Sequence, residues 1–155
     1  MTEETVVPLL STKLHIPPRR PSLVPRPRLA TRLDDALRLQ HRLALVSAKA
    51  GTGKTTLVSD WLHGQERAAQ WLSLDANDND PRRFLGYLLT ALDTLGVKSD
   101  PGHLETLQVS QPEALMTELV NKVSSSAPSS LLVFDDYHLI QNEWVHQAVG
   151  FLAEH

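Results

Sequence analysis

The stretch from Leu43 to Leu62 constrains this chain more than any other. Leu43-Ala44-Leu45-Val46 is a continuous apolar run, as a strand buried on both faces requires. Next comes Ala48-Lys49-Ala50-Gly51-Thr52-Gly53-Lys54-Thr55, and then an amphipathic stretch with Leu57, Val58, Trp61 and Leu62 on one helical face, stopped by Gly64. The eight-residue loop fits the Walker A pattern, with Ala48 at the place of its first glycine. Glycines let backbone N–H groups turn inward around phosphate oxygens, and the following helix adds its N-terminal dipole. In this reading the backbone of Ala48, Ala50, Gly51, Thr52 and Gly53 cradles phosphate, and Lys54 places a point charge on the β and γ phosphates. The Thr55 hydroxyl ligates Mg²⁺, and Thr56 reaches the α-phosphate.

Around that loop, strand and helix patterns alternate. Arg28–Gln40 has Leu29, Leu33, Ala36 and Leu37 at helical spacing, its polar face read as solvated. Residues 68–74 form a second strand candidate, and Asp80-Pro81 is an N-cap with proline at the first helical position. The helix it opens buries Phe84, Leu85, Leu88, Leu89, Leu92 and Leu95. A polar connection over 96–110 ends in Ser110-x-x-Glu113, a capping box for a helix with Leu115, Met116, Leu119, Val120 and Val123 inward. Residues 124–130 read as a turn, 131–134 as a third strand, and Val145, Ala148, Val149 and Leu152 as a last helix. Such alternation predicts an α/β fold with a mainly parallel sheet, and the Walker A pattern within it points to the three-layer P-loop NTPase class. Two regions are expected: a Pro/Arg-rich lead-in arm with a short helix over 1–40, and a partial P-loop core over 41–155. Six of the ten prolines fall within the first 27 residues, so the arm is read as irregular.

The third strand carries the second chemical signal. Leu131-Leu132-Val133-Phe134 ends in Asp135-Asp136, 81 positions after Lys54. Ligands of open α/β sheets bind beyond the carboxyl ends of strands, so Asp135 is expected in the Mg²⁺ shell, through water. Asp136 is expected to orient or deprotonate the attacking water, with Lys54 as the other catalytic group.

Several function classes drop out. The 155 residues lack cysteine, which excludes a disulfide scaffold, a thiolate zinc site and a cysteine nucleophile. No secretory signal and no apolar run of membrane-spanning length is read, so the expected address is the cytoplasm. Charge is uneven, +6 over residues 1–55 and −9 over 56–155, but every Phe, Tyr and Trp lies beyond residue 60. Base stacking therefore has no support in the basic third. Asp75-Ala76-Asn77-Asp78-Asn79-Asp80 begins like a calcium loop. It carries Asp80 where glycine is required and Gly86 where the bidentate glutamate belongs, so it is read as turn and N-cap chemistry. Trp61 and Trp71 are read as core, and His138 as a surface residue.

With these residues in view, the chain resembles the N-terminal ATPase region of the large ATP-binding LuxR-type bacterial transcription regulators, the MalT-like group of signal-transducing STAND ATPases. The likeness runs through Thr12-Lys13-Leu14, Val24-Pro25-Arg26-Pro27-Arg28-Leu29, the loop Ala50–Thr56, Trp71-Leu72-Ser73-Leu74-Asp75 with Asp78-Asn79, Phe84 with Tyr87-Leu88, and Asp135-Asp136-Tyr137-His138-Leu139-Ile140. It implies a switch that rests with ADP, exchanges it for ATP, hydrolyses slowly and self-associates in the ATP state. DNA would be bound only through a C-terminal helix-turn-helix outside these residues, and a membrane not at all. It also implies that Arg26 or Arg28 approaches the nucleotide. In that fold a further strand inserts between the Walker A and acidic strands, and the sequence stops before it, as an N-terminal fragment would. Residues 43–46 and 131–134 are then expected to lack their shared neighbour. Two other readings stay open. A small-molecule kinase or phosphotransferase needs an Arg-rich lid, yet no Lys or Arg follows Asp136. In a non-hydrolysing nucleotide-binding module, Asp136 is structural.

Overall fold

A computed structural model describes residues 9–98, 112–126 and 129–155. They divide into two compact units, Ile16–Arg67 and a second that joins 9–15 to Ala68–Ala153.

In the first unit, helix α1 (Pro27–Arg38) and helix α2 (Lys54–Leu62) flank the glycine loop. The expected strand at 43–46 does not form. Leu43 and Leu45 are 64% and 83% exposed, and these residues join no ladder. An apolar run becomes a strand only when a neighbour takes up its N–H and C=O groups. Among the described residues the single sheet, β1–β2, lies in the other unit. The supposedly solvated face of α1 also has a partner. Asp34 accepts from the Trp61 indole N–H at 2.8 Å and from Gln65 Nε2 at 3.2 Å, and half-buried Trp61 thereby links α2 to α1.

In the second unit, β1 (Ala69–Ser73) and β2 (Leu131–Asp135) pair in parallel, from Ala69 opposite Leu131 to Ser73 opposite Asp135. Helices α3 (Pro81–Thr94), α4 (Pro112–Ser126) and α5 (Glu143–Glu154) complete it. The predicted helical faces hold in part: Phe84, Leu85, Leu88, Leu92, Leu115, Met116, Leu119, Val145 and Ala148 are buried with fully enclosed Trp71 and Tyr87, whereas Leu89, Leu95, Val120, Val123, Val149 and Leu152 are half-buried. Asp80 caps α3 through the Arg82 N–H at 2.9 Å, with Pro81 at its first position. The predicted capping box of α4 lies outside the described residues at Ser110, and α4 itself continues through Ser126 into the expected turn.

The lead-in is less irregular than its prolines suggested. Ser11–Leu14 forms a 3-10 turn whose lysine, Lys13, is buried. The Lys13 ammonium pairs with Asp75 at 2.9 Å and with Asp78, and lies 4.7 Å above the Tyr87 ring. The Leu10 N–H donates to the Tyr87 hydroxyl, and Gln70 donates to the Leu14 carbonyl at 2.9 Å. Asp75–Asp80 is turn and cap chemistry as read from sequence, a reciprocal capping box in which Asp75 accepts from Asn77 and Asp78 accepts from the Asp75 N–H.

Two helices end in the same hydrogen-bonded motif with different residues. After α3, Gly96 adopts φ +86° while its N–H and that of buried Val97 close onto Asp93 and Leu92. After α1, Gln40 takes this left-handed position at φ +56°, its N–H on Leu37 and that of His41 on Ala36. A side chain pays for that conformation and glycine does not, so Gln40→Gly should stabilise the protein by about 1 kcal/mol in urea unfolding.

Asp75 supplies a pH signature. The hydrogen bond from Lys13 outweighs the desolvation of burial, and with the Asn77 N–H it holds the carboxyl below its ordinary value of 3.8. A depressed carboxyl contributes stability that is complete above its unfolded pKa and lost as pH falls through the folded one. The stability gap between wild type and Asp75→Asn should therefore stay constant above about pH 5 and shrink steadily below about pH 4, read from thermal midpoints across that range.

Candidate functional site

The glycine loop is built by two left-handed glycines. Gly51 has φ +76° and Gly53 φ +83°, values that rotate successive N–H groups in a way a side-chain-bearing residue resists. Gly53 is the N-cap of α2, so Lys54 is its first residue and the helix begins at the loop. Thr52 closes the turn, its hydroxyl donating to the Lys49 carbonyl at 2.9 Å. The Lys54 ammonium donates to the carbonyls of Ala48 at 2.9 Å and Lys49 at 3.2 Å, which folds the charge back over the loop. Ala50, Gly51 and Thr52 are exposed, and Gly53, Lys54, Thr55 and Thr56 half-buried.

The arm lies along α2 and reaches the loop at Gly53. Pro17 O accepts from the buried Ser59 hydroxyl, and His63 Nε2 is 3.1 Å from the same carbonyl. Arg19 pairs with Asp60 at 2.9 Å. Further on, the Arg26 guanidinium stacks against Gly53 so closely that a Cβ there would sit 3.3 Å from Nη2. A cleft of about 250 Å³ results, with Arg20, Val24 and Arg26 from the arm and Gly51, Thr52, Gly53, Thr56, Leu57 and Asp60 from the loop and α2. Arg28 lies exposed in the first turn of α1, so of the two lead-in arginines Arg26 is the one against the loop.

The second unit carries the carboxylates. Asp135 ends β2, where its carbonyl accepts from the Leu74 N–H at 3.0 Å and its Oδ1 accepts from the Asp136 N–H at 3.1 Å. Asp136 adopts φ +56°, ψ +29°, a left-handed conformation unusual outside glycine and best tolerated by Asn and Asp. Its carboxylate is half-exposed, 3.9 Å from exposed His138 Nδ1. Tyr137 beside it meets His146 Nδ1 at 2.7 Å, and burial raises the phenol pKa.

The cleft carries two guanidinium-bearing residues, Arg20 and Arg26, and one carboxylate-bearing residue, Asp60, while the Lys54 ammonium lies back on the loop carbonyls. Thr55 in the first unit and Asp135 in the second each carry an oxygen of the hard type that Mg²⁺ takes. Sequence reasoning missed the ordered lead-in, because a single lysine in an irregular segment carries no periodic signal.

A family model described as an AAA domain matches residues 37–154. The chain is 39% identical over 151 residues to the HTH-type transcriptional regulator MalT of Serratia proteamaculans, across 95% of this chain and 16% of that protein. It is 36% identical over 154 residues to the HTH-type transcriptional regulator MalT of Cronobacter sakazakii, with the same coverage. The protein of that name from Yersinia pestis is 36% identical over 151 residues. The chain thus spans about 16% of the length of these relatives.

Proposed function

Because this chain belongs to the AAA domain family, whose fold is that of the P-loop NTPases, we propose that it binds ATP and ADP with Mg²⁺ as the nucleotide switch of a MalT-like transcription regulator. The observation that carries the proposal is the loop itself, with Gly51 and Gly53 left-handed and Lys54 opening α2. The amides of residues 50–55 orient the phosphates, and Lys54 leaves the two loop carbonyls to neutralise them. That exchange is favourable because a hydrogen bond between two ionised groups is about twice as strong as one between neutral groups. The Thr56 hydroxyl serves the α-phosphate. Arg26 meets the nucleotide from the arm, with Arg28 at the edge of that approach. Bound Mg²⁺, held by Thr55 and through water by Asp135, would offset phosphate charge. Asp136 orients the water that hydrolyses the nucleotide, slowly, as suits a signal that must persist. The regulator's self-association in the ATP state, its cytoplasmic address and its DNA contact through another region complete this reading. Its support is the relatives' name and the absence, among the described residues, of a helix long and apolar enough to cross a membrane.

Lys54→Ala removes charge-assisted contacts worth about 1.5–3 kcal/mol, so ATP affinity should fall about ten- to a hundredfold in equilibrium titration. Unchanged affinity would reject the loop as the site. The two carboxylates should separate in a second pair of measurements. Asp135→Asn should weaken Mg²⁺-dependent binding, whereas Asp136→Asn should bind normally and hydrolyse about 10²–10⁴-fold more slowly. Equal loss of binding in both variants removes the division of labour.

A further inference from the structure

We propose that Asn79 is the positioning residue of Asp136: its carboxamide fastens the turn that follows β2 and so fixes where the Asp136 carboxylate points. The idea rests on the reading of Asp136 given above. Asn79 comes from the acidic turn after β1, and its side chain makes four hydrogen bonds. Oδ1 accepts the backbone N–H groups of Gln141 at 2.6 Å and Asn142 at 2.9 Å. Nδ2 donates to the carbonyls of Ala76 and Leu139, each at 3.0 Å. Two N–H groups on one side and two C=O groups on the other use the amide's donors and acceptors fully.

The turn held in this way is the one that needs holding. Asp136 sits in the left-handed region, which an L-residue keeps only where the surroundings over-determine it. Its upstream side is fixed by the sheet, through Leu74 N–H to Asp135 O, and by the Asp135 carboxylate on the Asp136 N–H. The Leu139 N–H closes back on the Asp136 carbonyl at 3.0 Å, so residues 136–139 form one turn. Its downstream side is fixed by Asn79 alone among the side chains whose hydrogen bonds reach the backbone of 139–142 in the described residues. Beyond it, Asn142 caps α5 through the N–H groups of Trp144 and Val145. Without Asn79 the left-handed turn keeps its upstream anchors and loses its far end. Asp136 can then relax while the strand and its Asp135 stay in place. Asn79 touches neither carboxylate and acts through backbone only.

The test uses the full chain, steady-state ATP hydrolysis and fluorescent-ADP binding with Asn79→Ala, Asp136→Asn and the double variant. A misplacement on the scale of an ångström costs about a hundredfold or less, so Asn79→Ala should hydrolyse about ten- to a hundredfold more slowly while its nucleotide affinity stays within about twofold. Residues that act as one unit are non-additive, so the double variant should be no slower than Asp136→Asn alone. Asn79→Asp keeps an oxygen for the Gln141 and Asn142 amides and should recover part of the rate. Losses that multiply in the double variant would overturn the proposal, as would a wild-type rate in Asn79→Ala beside a slow Asp136→Asn. So would an Asn79→Asp variant that unfolds at the wild-type temperature yet is no faster than Asn79→Ala. A wild-type rate in Asp136→Asn itself is a different failure: it rejects the role given to Asp136, and the positioning role falls with it.

Discussion

Asp78 has no exposed surface, and a carboxylate can be enclosed so fully only if donors replace the water it gives up. Three segments supply them. Arg83 from α3 donates to Oδ1 at 3.1 Å, while the Asp75 N–H at 2.8 Å and the Lys13 ammonium share Oδ2. Removing one partner of a buried pair costs about 3–5 kcal/mol, a large share of the stability of a small domain. The lead-in, the end of β1 and the start of α3 are therefore obliged to meet at one point. Lys13 and Arg83 also flank the Tyr87 ring, at 4.7 and 5.5 Å, so the cations are held by packing as well as by charge. The next residue along, Asn79, ties the same turn to the backbone after β2. One six-residue segment is thus the node on which both ends of the second unit are hung.

How far the sequence showed this depends on the range of the forces involved. Helices α3 and α5 were legible because their apolar faces repeat locally, and the cap at Asp80 lies beside its own helix. The conformation of the glycine loop was legible because it needs glycine at Gly51 and Gly53 and nothing distant. The run at 43–46 was misread for the opposite reason. Its four apolar residues report a preference for burial, and whether a ladder partner stands beside them is a property of the tertiary structure. The ion pairs of Lys13 were invisible because its partners lie 62 and 65 residues away. Gln40 escaped because the helix-end signal is a glycine, and here a glutamine bears the left-handed position. Asn79 was read correctly as part of a turn, but its four hydrogen bonds include three to residues 60–63 positions later.

Gly53 shows how one residue type can answer two demands at once. Its φ of +83° lets the loop turn into α2, and its missing side chain leaves room for the Arg26 guanidinium. Gly51 meets only the first demand, since a Cβ there would find nothing within 4 Å. The two glycines are therefore unequal. An alanine at Gly51 adds backbone strain alone, whereas at Gly53 it adds the same strain and crowds Arg26 at 3.3 Å. Arg26 thereby lies against the residue that precedes Lys54, in a cleft that Arg20 and Asp60 also line.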